Sequence, residues 1–92
     1  MADYVVEAGT PTNITATALI HDGPAGLLGI WVSSASATPT IKVWNNTAAS
    51  GGVIANTFIP VGGTFYPIPF YCSKGIFVTI SGTVDCTVSH KP

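Results

Sequence analysis

Residues 75–90, GIFVTISGTVDCTVSH, read as two β-strands. Ile76, Val78 and Ile80 fall on one face, with Phe77 and Thr79 on the other. Beyond Gly82 the pattern restarts, with Val84, Cys86 and Val88 set against Asp85, Thr87 and Ser89. A period of two is what an extended chain with one dry and one wet face produces. A helix would need apolar residues at i, i+3, i+4 and i+7 behind a capping residue, and no window of this chain sustains that. The two aliphatic sets are therefore core, on strands Gly75–Ser81 and Val84–Ser89.

The same grammar occurs earlier. Residues 29–44, GIWVSSASATPTIKVW, share the order Gly-Ile-aromatic-Val, a small-residue turn and a second alternating strand. Both segments read as hairpins with one buried face, a likeness that hairpins in general share. Leu28, Ile30 and Val32 make one inward set, and Ile41 and Val43 another. Leu27 and Trp31, Lys42 and Trp44, and Phe77 are then left facing outward, with Trp31 and Phe77 at matching positions.

Working outward, further strands are expected at Tyr4–Glu7, Asn13–His21, Leu27–Ser34, Thr40–Trp44, Val53–Ile59 and Thr64–Ile68, divided by Gly, Pro, Asn and Ser clusters. Seven or eight short strands predict an all-β fold, a small antiparallel β-sandwich of jelly-roll type. Pro60, Pro67 and Pro69 belong at strand ends or edges, because proline cannot donate to a ladder. The chain reads as one domain over 1–92. Residues 1–9 form a candidate N-terminal arm that could add a strand to a neighbour's sheet.

Of 92 residues, 8% are charged, against about 25% in ordinary soluble domains. The apolar fraction, 47%, is ordinary. The surface is therefore the unusual part, with Ser, Thr, Gly and Asn standing where charge would normally be. Three lysines, no arginine and a net charge of -1 argue against nucleic acid or an acidic membrane as partner. They also give little colloidal repulsion, which favours an assembled state. MADYVVEAG carries Asp3 and Glu7 where a secretory signal would be basic and then apolar. The longest apolar run, around GLLGIWV, is far short of the ~18 residues of a membrane helix. Synthesis in a cytoplasm without processing is the expectation. Cys72 and Cys86 do not make a disulfide framework, and Cys86 reads as a buried thiol acting as a small hydrophobe.

No GxSxG, phosphate loop, HExxH or CxxC is present. His21, Asp85 and a serine could be drawn as a triad, but no spacing selects them, and the expectation is a protein without catalytic activity. His21, Asp22 and His90 offer no metal-ligand spacing, and His21-Asp22 before Gly-Pro reads as a strand entering a turn. No metal or cofactor is expected. Asn13 and Asn45, in NIT and NNT, read as turn residues. The informative set is Trp31, Trp44, Phe77, Leu27 and Lys42, expected to form an apolar protein interface rimmed by Ser and Thr. Two other readings compete with it. One is a second packed layer, and the other, ranked lower, is a sugar-stacking platform with Asn45 and Asn46 beside Trp44.

The stretches GTPTNITATALI, GPAGLLGIWVSSASATPTIKVWNNTAASGGVIANT and GGTFYPIPFYCSKGIFVTISGTVDCTVSHKP resemble small bacteriophage virion structural proteins. The resemblance lies in Leu-x-Gly-Ile at Leu27–Ile30, Ile-x-Val-Trp-Asn-Asn-Thr at Ile41–Thr47, Phe-Tyr-Pro at Phe65–Pro67, Gly-Ile-x-Val at Gly75–Val78 and Gly-Thr-x-Asp-x-Thr-Val at Gly82–Val88. It implies a capsid decoration (cement) protein on the virion. Such a protein binds the major capsid protein on the outer surface of the assembled head, often as a homotrimer. It brings no catalytic motif. The alternatives are a tail- or fibre-associated sandwich binding host glycan, and a head-completion or neck protein.

Overall fold

The computed structural model describes residues 9–36 and 38–91. The strand expected at Tyr4–Glu7, and with it nearly all of the arm, lies outside them. Eight strands follow in order: β1 (Thr10–Ile14), β2 (Ala18–Asp22), β3 (Ala25–Ala35), β4 (Thr40–Trp44), β5 (Val53–Phe58), β6 (Thr64–Cys72), β7 (Gly75–Ser81) and β8 (Val84–Lys91). They make two four-stranded sheets, β1-β8-β3-β6 (sheet I) and β2-β7-β4-β5 (sheet II).

The pairing has a simple logic. β1 pairs with β8, β2 with β7, β3 with β6 and β4 with β5, all antiparallel. That is one long hairpin, closed at the β4–β5 connection and rolled so that its strand pairs fall alternately into two sheets. The added pairs β3·β8 and β4·β7 seal the roll. The result is the two-sheet jelly roll, an all-β sandwich.

The two echoing segments are not hairpins. β3 lies in sheet I and β4 in sheet II, and β7 and β8 are divided likewise. Each segment crosses from one sheet to the other, and each finds its ladder partner in the other segment. β3 and β8 are the centre of sheet I, and β4 and β7 the centre of sheet II. The two crossings lie side by side: Ser36 N donates to Thr83 O at 2.9 Å, and a Cβ placed on Gly82, at φ +86°, would stand 3.0 Å from Pro39 Cα. A side chain at Gly82 would meet that proline in a backbone conformation suited to glycine.

The expected strand Asn13–His21 is likewise two strands in different sheets. The Thr17 hydroxyl fixes the crossing, donating to Ile80 O and accepting from Ile80 N. β6 runs on through Pro67 and Pro69 to Cys72. It can do so because β6 is an edge strand, hydrogen-bonded on one side only, the place where proline is tolerated.

Ile30, Val32, Ile41, Val43, Ile76, Val78 and Val88 are fully buried between the sheets, with Val84 and Cys86 beside them. Each such side chain stabilises the fold by about 1.5–3 kcal/mol relative to exposure. Leu27 departs from the sequence reading. The β3–β8 register shifts between Leu27 and Gly29, and this bulge puts Leu27 in phase with Ile30 instead of against it. Leu27 is a core residue, 1% exposed, and Leu28 is half-buried. Both cysteines are buried free thiols. Burial raises the Cys72 pKa, and burial with the Asp85 charge pushes Cys86 up to about 11.

Candidate functional site

Each sheet has an outer face, and cross-strand register decides what stands together there. On sheet II, Val53 pairs with Trp44, Trp44 with Phe77, and Phe77 with Leu19. This is one apolar row across all four strands. Its ends are open, Val53 at 46% and Leu19 at 44% exposure, and its two rings are half-buried. Trp44 is pinned on the sheet. Its indole N–H donates to Thr79 Oγ1 at 3.3 Å, and that hydroxyl donates to Lys42 O at 3.3 Å. The Lys42 ammonium stands 4.3 Å from the centre of the Trp44 ring, a cation–π contact.

On sheet I the corresponding row runs Phe65–Trp31–Thr87–Asn13. One half is aromatic, with Trp31 43% and Phe65 49% exposed. The other half is polar and already organised. The Asn13 amide donates to Asp85 Oδ1 at 2.8 Å, to Cys86 O at 3.0 Å and to Thr87 Oγ1 at 3.4 Å. Phe65 lies diagonally over Gly29, whose missing Cβ would stand 2.5 Å from the ring and 2.6 Å from Tyr66 O. Glycine there is what lets the ring lie down on the strand.

The five residues expected at an interface therefore separate. Trp44, Phe77 and Lys42 come together on sheet II. Trp31 stands on the opposite face of the sandwich, and Leu27 is in the core. The matching positions of Trp31 and Phe77 place one ring at the centre of each outer face instead of joining them in one patch. Sequence reasoning missed Phe65, Asn13 and Thr87 beside Trp31, and Leu19 and Val53 beside Trp44. Apart from Val53, on the next strand, these neighbours come from strands far away in the chain, and only register brings them in. The Asn45 beside Trp44 is occupied: its Oδ1 accepts from Lys74 N at 2.9 Å and its amide donates to Ser73 Oγ at 3.3 Å, tying two loops together.

The sheet edges carry their own signal. Pro11 sits in edge strand β1, and Pro67 and Pro69 in edge strand β6. In sheet II the edge strands β2 and β5 both pair through bulges. Prolines and bulges are devices that keep edges from pairing with another chain. Between β5 and β6 a small apolar cleft of about 200 Å³ is lined by Ala55, Phe58, Tyr66, Pro67 and Ile68. Phe58 and Tyr66 pack together in its wall, with rings 5.0 Å apart and Val61 N donating to the Tyr66 hydroxyl at 2.9 Å.

His21 and His90 meet where β2 faces the end of β8, ring centres 5.4 Å apart. His90 is 4% exposed, and its Nδ1 has no hydrogen-bond partner among the described residues. Burial first, then the neighbouring His21, lowers the His90 pKa. Asp22 does not join them: among the described residues no group of three or more His, Cys, Asp or Glu side chains converges on a point that could hold a metal.

Comparison with known proteins adds no relative. No family model matches the chain, and neither a curated protein nor a solved structure does.

Proposed function

We propose that this protein is a non-enzymatic capsid decoration (cement) protein of a bacteriophage virion. It binds the major capsid protein on the outer surface of the assembled head and packs against copies of itself, as a homotrimer. The observation that carries this reading is the apolar row Val53–Trp44–Phe77–Leu19 on sheet II. A row of this kind on a small protein with few charges favours association.

The blunted edges support association by faces. With proline or a bulge at each edge strand, adding strands side by side is disfavoured, while the sheet II face stays open. Low charge suits the same role, because desolvating an unpaired charge in an interface is costly. Ser, Thr and Asn around an apolar centre supply hydrogen bonds at lower cost. Cementing then follows from linkage: a protein that binds only the expanded shell stabilises that shell by mass action. Many symmetry-related copies add avidity, so no single contact need be strong.

The test is sedimentation with purified heads, alongside light-scattering mass of the free protein. Expected results are saturable binding to expanded heads, little to unexpanded procapsids, and a trimer in solution. The paired substitution Trp44→Ser and Phe77→Ser should abolish head binding while the circular dichroism of the fold persists. A folded double variant that binds heads as well as the parent protein overturns the reading.

A further inference from the structure

We infer that the outer face of sheet I is a binding site for a neutral oligosaccharide, with Trp31 and Phe65 as the stacking platform and Asn13, Asp85 and Thr87 as the hydroxyl-binding end. This inference does not rest on the decoration role, which uses the opposite face.

The site is a single cross-strand row. Phe65, Trp31, Thr87 and Asn13 are successive register neighbours on β6, β3, β8 and β1. Four strands at ~4.8 Å spacing make a track of about 14 Å, enough for a short linear saccharide lying across the strands. Sugar rings have an apolar C–H face and an edge of hydroxyls. They need a flat aromatic surface with hydrogen-bonding groups beside it, and this row has both in that order. Aromatic side chains with an apolar body and a polar handle suit such half-wet ligands.

The polar end is organised before any ligand arrives. Asn13 donates to Asp85, Cys86 O and Thr87, which fixes the amide and the carboxylate together. Among the described residues, Asn13 Oδ1, the second Asp85 oxygen and the Trp31 indole N–H have no hydrogen-bond partner. Two acceptors and a donor are thus open along the track, and adjacent sugar hydroxyls can both donate and accept. Preorganised groups lose less entropy on binding.

Charge selects the class of sugar. Asp85 is the one ionised group among the row and its hydrogen-bonded partners, so an acidic saccharide would bring its carboxylate to a carboxylate. Neutral sugars avoid this. The same face is a poor seat for a second copy of the chain, since docking a dry surface would bury Asp85 and Asn13 away from water. Trp44 on the other face is not equivalent: its N–H is used by Thr79, Lys42 stands over its ring, and Asn45 is engaged in the loops.

The experiment titrates the full chain with cellotriose, maltotriose, chitotriose and sialyllactose, following tryptophan fluorescence. Trp44→Phe isolates the Trp31 signal, and Trp31→Thr isolates the other. We expect a saturable response to at least one neutral trisaccharide, carried by Trp31 and retained in Trp44→Phe. Binding, read by calorimetry because Trp31→Thr lacks the reporting indole, should be lost in Trp31→Thr and weakened at least tenfold in Phe65→Thr, an independent change at an exposed strand position. Sialyllactose should give none. The inference is overturned by absence of response to every neutral trisaccharide, by a response that survives Trp31→Thr, or by equal binding of sialyllactose. It is also overturned if folded Trp31→Thr loses head binding, which would make this face a protein contact. Loss of the decoration role, read by head sedimentation of Trp44→Ser with Phe77→Ser, leaves the sugar titration intact.

Discussion

The outer faces of the two sheets are built around the same echoing segments, yet they differ in what flanks the central pair. On sheet II the centre is Trp44 against Phe77, and the edge strands add Val53 and Leu19. On sheet I the centre is Trp31 against Thr87, and the edges add Phe65 and Asn13. The central strands put a ring on each face. The edge strands decide its chemistry, dry and aliphatic on one side, half aromatic and half polar on the other. A dry row suits another protein surface, and a row with a wet end suits a ligand that is itself half wet. In a jelly roll these faces point in opposite directions, so occupation of one leaves the other open.

The largest effect should come from removing the feature that shapes the sheet I face. Gly29→Ala places a Cβ 2.5 Å from the Phe65 ring and 2.6 Å from Tyr66 O. The ring can swing away, but a ladder carbonyl cannot move cheaply, and overpacking of this kind costs about 1–3 kcal/mol. Urea denaturation should show that loss, and the Trp31 environment should change with it. Gly26→Ala on the same strand is the control: its Cβ would meet only Lys91 O, at 3.7 Å. Its unfolding free energy should stay within about 0.5 kcal/mol of the parent. Equal losses at the two glycines would mean that the Phe65–Gly29 contact does not set the face.

A smaller effect separates the faces from the seam between the sheets. Burial holds the His90 pKa below its ordinary value of 6.5, so the native state keeps His90 neutral where the unfolded chain takes up a proton. Its contribution is complete above the unfolded pKa and is lost as pH falls through that value toward the lower, folded one. Tm should therefore drop between pH 7.5 and pH 5, and His90→Leu should flatten the dependence. Fluorescence of Trp31 and Trp44 should not titrate ahead of unfolding, since His90 lies between the sheets. A parent and variant with the same slope would place the pH sensitivity elsewhere.

How much of this was legible in the sequence differs by level. The period of two in Gly75–His90 and the aliphatic sets at Ile41, Val43, Ile76 and Val78 gave the fold class and most of the core, because alternation is a local property. Leu27 is out by one register step: Gly26 and Gly29 flank the bulge, but a glycine in a strand does not by itself say that the phase changes there, and strict alternation carries through it. The hairpin reading failed for a related reason. A two-residue link at Gly82-Thr83 looks the same whether the chain returns in its own sheet or crosses to the next, and only the ladder partners distinguish the two. The candidate site was legible as a list of rings, not as faces. Trp31, Trp44 and Phe77 stood out by composition, but their separation onto two sheets depends on pairings across tens of residues. Alternation sets Thr87 outward, but nothing local places Thr87 or Asn13 beside Trp31. Asn13, read from Asn-Ile-Thr as a turn residue, stands instead in strand β1, paired with Thr87.

The smallest effect concerns Lys42, the charge nearest the dry row. Its ammonium lies 4.3 Å from the Trp44 ring centre while the residue is half-buried, so its stem covers part of the ring and its head supplies the cation–π contact. Lys42→Met keeps the stem and removes the charge. Stability should fall by about 0.5–1 kcal/mol, the usual size of such a contact near solvent. Trp44 emission, read in a Trp31→Phe background, should change, while Trp31 emission, read in Trp44→Phe, should not. The substitution also removes one of only three lysines, beside a row that already favours association. Light-scattering mass should then rise at lower protein concentration than for the parent. Thr87→Val, the matching loss of polarity on sheet I, should leave that mass unchanged if sheet II is the face that associates. A mass increase from Thr87→Val as large as that from Lys42→Met would mean the two faces are equally sticky, and the division of labour between them would fail.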